Sequence, residues 1–195
     1  MSGLLWLDDH SRIPDGWVTC LVFVRGSDVD EVFRGFGAGP SRPVTSPPLS
    51  GAPFPLMDAP EQILGRRCDD WTLVIDGTFP PQGLQLEVLQ RISEGTDAVV
   101  IYNDVAKLNH ELVHAHDGEI ITAVTTSVPP HWDGTQPDRL RELAEEIGLG
   151  RGADTDFTQL QVLLVLAESA FGISLDEAGL EGSWYAAQVP DDADE

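Results

Sequence analysis

Asp117-Gly118 stands between two apolar, β-branched runs, Asn109 to His116 and Glu119 to Thr125. A two-residue Asp-Gly loop is the strongest short-range hairpin signal, because both residues tolerate the positive φ that a type I′ turn requires. A third run of the same character, Asp97 to Asn103, lies just upstream. Together they predict a three-strand meander over 96–125, and the turn sets its register. His116 is expected opposite Glu119, His114 opposite Ile121, Leu112 opposite Ala123 and His110 opposite Thr125, all on one face. Val113, Ala115 and Ile120 fall on the other. Neither face is cleanly polar, so both are expected to be covered by other elements.

Two earlier apolar runs, Trp17 to Val24 and Trp71 to Ile75, read as buried strands. Between them Val29, Val32, Phe33 and Phe36 recur at helical spacing, with Ser27 as the expected N-cap and Gly37 as the stop. The segment 37–60 holds seven of the fourteen prolines and reads as a long loop. Glu61 to Cys68 is expected to add a helical turn, and Leu84, Val88, Leu89 and Ile92 mark a second helix. Beyond the meander, 128–136 reads as a connection. Leu140, Leu143, Ala144 and Ile147 mark a helix ending at Gly148. Phe157 to Phe171 is helical and apolar on most sides, which signals burial. Ser174-Leu175-Asp176-Glu177 is a capping-box sequence opening a further short helix, and 183–189 has the composition of a terminal strand.

The pattern predicts an α+β fold: a mostly antiparallel sheet of about five strands with packed helices and a C-terminal helical hairpin. The expected organisation is an α+β domain over 1–148 with a Pro-rich loop at 37–60. A C-terminal helical segment, 149–189, packs on it, and 190–195 form an acidic tail.

Charge narrows the partners. Net charge is -22, from 33 acidic and 11 basic residues, and no Lys or Arg follows Arg151. Such a field repels phosphate backbones and anionic lipid, which argues against direct nucleic-acid or membrane binding. The sequence lacks a signal-peptide pattern and an apolar stretch of membrane-spanning length, so a cytoplasmic location is expected. Cys20 and Cys68 read as reduced thiols rather than a bridge or metal site.

The chemistry-bearing candidates are few. His110, His114 and His116 alternate along one strand and so share a face, and Glu119 lies across the turn; these four are the candidate metal ligands. The 163–180 segment has a helix-turn-helix outline, but its second helix carries Asp176, Glu177 and Glu181 with no basic residue to meet phosphate. There is no Gly-x-Ser-x-Gly elbow and no phosphate-binding Gly loop. No catalytic residue and no cofactor is therefore expected.

Several stretches also resemble a known family: Trp17 through Gly26, Ile92 through Val99, Asp117 through Ile120, Gln136 through Leu140 and Phe171 through Leu175. Together they are similar to an uncharacterised, mainly actinobacterial domain-of-unknown-function family of small acidic α+β proteins. The resemblance implies a fold and a host, and no activity. The functional expectation is a non-catalytic acidic protein-binding module, an immunity-like or regulatory partner of a basic protein. The alternative is a metal-dependent enzyme using the His110/His114/His116 face.

Overall fold

A computed structural model of the protein describes residues 4, 18–44, 62–78, 80–104, 109–151, 158–174 and 183–190. Nine strands make one sheet: β1 (Val18–Arg25), β2 (Arg42–Val44), β3 (Gln62–Cys68), β4 (Trp71–Asp76), β5 (Asp97–Asp104), β6 (Asn109–His116), β7 (Glu119–Thr125), β8 (His131–Asp133) and β9 (Trp184–Gln188). Four helices accompany them: α1 (Val29–Gly35), α2 (Leu86–Ile92), α3 (Arg141–Ile147) and α4 (Gln159–Phe171). Strand order is β2-β9-β3-β4-β1-β5-β6-β7-β8, and each neighbouring pair is antiparallel.

The expected sheet of about five strands with a helical hairpin is thus overturned by a sheet-dominated fold of nine strands. Three unforeseen strands, β2, β3 and β8, account for the difference, together with β9, which lies within the expected terminal strand at 183–189. β2 and β8 have three residues each, too few to display a period of two. β2 also lies inside the Pro-rich segment, where Pro43 is tolerated because the strand is at the sheet edge. β3 replaces the expected helical turn. Its partner β4 follows after two residues, with Asp69 at φ 51° making the hairpin turn. β9 returns from the C-terminal region to lie between β2 and β3. The expected helix opening at Ser174 falls largely on 175–182, outside the described residues, as do 45–60 of the Pro-rich loop and 191–195 of the expected tail.

Alternation along the central strand β1 divides the core in two. Leu21 and Phe23 point to one face, joined by Leu73, Ile75, Val99, Ile101 and Leu112, and α3 and α4 cover them with Leu140, Ala144, Leu163 and Leu166. Cys20, Val22 and Val24 point to the other, covered by Val32 and Phe33 of α1, by its C-cap Phe36, and by Val88, Leu89 and Ile92 of α2. Asp28, rather than Ser27, caps α1, its carboxylate accepting from the Glu31 amide at 2.7 Å. Thr158 and Gln161 form a reciprocal capping box at the start of α4.

The meander has the predicted strand ranges, with Asp117 at φ 50° and Gly118 at φ 79°. Its register shifts once. His116 faces Glu119 and Ala115 faces Ile120, but His114 then faces Thr122, so Ile121 is the extra residue of a β-bulge. Leu112 accordingly faces Val124 and Glu111 faces Thr125, one residue away from the expected pairing.

Candidate functional site

The alternation of β6 places His110, Leu112, His114 and His116 toward α3 and α4. His114 sits opposite Val99 and His116 opposite Asp97. Asp97 is the centre of this region. Its Oδ1 accepts from His114 Nε2 and from His116 Nδ1, each at 3.0 Å, and its Oδ2 accepts from Arg25 at 3.2 Å. Arg25 also donates to the Phe171 carbonyl at 3.0 Å, at the C-terminal end of α4, and lies 4.7 Å from the Trp71 ring centroid. The His114 ring is 4.7 Å from that of Phe171. The cluster therefore ties the end of α4 to β1, β5 and β6.

His114 is 1% exposed, and its Nδ1 is a buried polar atom with no partner among the described residues. Burial depresses its pKa, and the bond to Asp97 opposes that shift. Burial acts to raise the Asp97 pKa, but the hydrogen bonds and charges of His114 and His116 outweigh it and hold the carboxyl below its usual value. His110 is elsewhere: its Nδ1 lies 2.8 Å from Asn103 Oδ1, and four strand residues put its Cα roughly 13 Å from that of His114. Glu119 is exposed at the far side of the turn. The structure thus brings His114 and His116 together on Asp97 and separates His110 from them. Among the described residues no group of three or more His, Cys, Asp or Glu is arranged to hold a metal ion.

The opposite face carries a second feature that sequence reading missed. Register places Asp76, Cys20, Tyr102, Glu111, Thr125 and His131 in one transverse row across β4, β1, β5, β6, β7 and β8. At the β4 end the row is sealed. Asp76 accepts from the amides of Thr78 and Gly83 and from the Thr78 hydroxyl, organising the 3-10 turn at Gln82–Leu84 over Cys20. A Cβ on Gly83 would lie 2.7 Å from Val22 Cγ2 and 3.2 Å from Cys20 Sγ. Burial, followed by the charges of Asp76 and Glu111, pushes the Cys20 thiol well above its ordinary pKa, so it is inert.

At the β8 end the row is open. α2 spans only seven residues, about 10 Å. It leaves a cavity of about 390 Å³ above β6, β7 and β8. Val113, Ile120 and Ala123 form its floor, Leu84 and Leu89 line the side nearest α2, and Glu111, Thr125, His131, Asp133 and Gly134 complete it. Among the described residues no Lys or Arg lines it. The Glu111 carboxylate has no hydrogen bond or ion pair among the described residues, and burial raises its pKa. An apolar cavity of this size with a few convergent polar groups is the usual form of a small binding site. One signal was legible: Glu111 interrupts a strand face otherwise made of Val113 and Ala115.

Comparison with curated proteins and with solved structures finds no significant match. One family model, described as a family of unknown function (DUF6461), matches residues 58–194, and the chain belongs to that family.

Proposed function

We propose that this protein is a non-catalytic, cytoplasmic binding module of the immunity or regulatory type, whose partner is a basic protein. The observation that carries this reading is the excess of exposed carboxylates over available cations. Four of the nine described arginines have their head groups engaged by the fold, although most of the nine are exposed. Arg25 holds Asp97 and the Phe171 carbonyl, Arg67 donates to the carbonyls of Ser27 and Asp69, and Arg91 donates to that of Gly35. Arg66 lies over the Trp184 ring. Many carboxylates lie on the surface without a cationic partner among the described residues. Asp30 and Glu31 on α1, and Glu142, Glu145 and Glu146 on α3, are exposed and make no ion pair among the described residues. In a chain of net charge -22 this leaves a negative field with little local compensation. Such a field accelerates encounter with a positive surface and disfavours polyanions. No helix among the described residues is long and apolar enough to cross a membrane.

The test is titration with two peptides of equal length, one rich in Arg and Lys and one neutral, at low and high salt. The reading expects one-site saturation by the cationic peptide, weakening as salt rises. Equal binding of both peptides, or binding insensitive to salt, contradicts it.

A further inference from the structure

Resting on that reading, we infer that the cavity between α2 and β8 is a socket for a single arginine side chain of the basic partner. The geometry matches this occupant at both ends. An arginine presents a long apolar stem and a planar cationic head, and it is stable where the stem is buried and the head meets acceptors. Val113, Ala123 and Leu89 supply the apolar surface for the stem. Glu111, Thr125 and Asp133 supply oxygen acceptors around the head, and among the described residues no Lys or Arg lines the cavity.

Glu111 is the anchor. It sits mid-sheet between Tyr102 and Thr125, partly buried and without a counter-charge among the described residues. A half-buried carboxylate without a partner is costly, and an incoming guanidinium relieves that cost with charge-assisted hydrogen bonds. Guanidinium suits the socket better than ammonium because it is less strongly hydrated and offers five donors to acceptors spread over three strands. The cavity volume of about 390 Å³ lies at the small end of the ligand-pocket range, which fits one side chain rather than a helix or strand.

The experiment uses the full chain and fluorescein-labelled Gly/Ser peptides carrying one central arginine, lysine or citrulline, read by fluorescence anisotropy. Citrulline keeps the shape of arginine and removes its charge. The arginine peptide is expected to bind roughly tenfold to a hundredfold more tightly than the citrulline peptide, the size of a charged hydrogen-bonded contact. Glu111→Gln is expected to erase that difference. Ala123→Leu, which fills the floor while leaving Glu111 in place, is expected to weaken the arginine peptide by a similar factor. Equal binding of arginine and citrulline peptides overturns the socket, and a lysine peptide as tight as the arginine one overturns the guanidinium assignment. If instead Glu111→Gln and Ala123→Leu leave affinity unchanged while Glu142→Gln/Glu145→Gln/Glu146→Gln lowers it, the socket falls and the basic-partner reading stands. Absence of binding by either cationic peptide overturns both.

Discussion

Removing Asp97 should cost more than removing the histidine it holds. His114 is 1% exposed and already has one unpartnered ring nitrogen, so the bond from Nε2 to Asp97 is what satisfies its buried imidazole. Asp97→Ala leaves both nitrogens unpaired in the core. One unsatisfied buried group costs about 1–3 kcal/mol. The partly exposed ion pair to Arg25 adds at most ~1 kcal/mol after solvent screening. A total of about 1–4 kcal/mol follows from these two terms. His114→Leu removes the imidazole with its demand for partners and extends the apolar cluster that includes Phe171. Asp97 then keeps His116 and Arg25, so the change is expected within about 1 kcal/mol of neutral. The double variant, with no imidazole left to strand, should be more stable than Asp97→Ala alone. Urea unfolding near pH 7.5, followed by the fluorescence of buried Trp71 and Trp184, reads the cycle directly. A double variant less stable than Asp97→Ala refutes the reasoning.

Three further outcomes are expected. Because burial depresses the His114 pKa, the unfolded chain binds a proton below pH 6.5 that the folded chain refuses. Stability therefore falls as pH drops through that value, by up to about 1.4 kcal/mol per pH unit. Asp97, held below 3.8, adds a second loss as pH falls through its folded pKa. Unfolding free energies from pH 7.5 to 5 should show the first slope, and His114→Leu should flatten it. Gly134→Ala should release β8, since φ is +105° there and the new Cβ would lie 2.6 Å from the Ile121 carbonyl oxygen. Faster hydrogen exchange at the Thr135 and Gln136 amides, which donate to Ile120 and Ile121, reads that release. Asp76→Ala leaves the Gly83 and Thr78 amides unpaired and should loosen the turn over Cys20. Thiol labelling in a Cys68→Ser background should be slow with Asp76 present and fast without it.

The meander was legible because Asp117-Gly118 fixes both where the strands end and where pairing begins. Register was legible only for the two pairs next to the turn. The bulge at Ile121 satisfies both faces at once, keeping Thr122 and Val124 beside His114 and Leu112 while Ala123 stays beside Val113, and no local rule announces it. β3 was obscured by Gly65 and the Arg66-Arg67 pair, which break an apolar alternation. Gly65 is there because a Cβ would meet the Phe33 ring at 2.7 Å, a tertiary reason invisible in the sequence. The histidine face was legible as a face, but the partner that organises it, Asp97, lies on another strand and appeared only as a strand boundary. The cavity was the least legible feature, since it exists only because β8 extends the sheet past the reach of α2. The Trp17–Gly26 stretch that carried part of the family resemblance precedes the matched residues 58–194.

The most direct measurement is an amide chemical-shift map of the labelled protein on addition of the single-arginine peptide. Perturbations are expected at Glu111 to Val113, Ile120 to Thr125, His131 to Gly134 and Leu84 to Leu89, with α3 and α4 unmoved. Shifts concentrated on α3, or spread evenly over the exposed carboxylates, contradict recognition at the open end of the sheet.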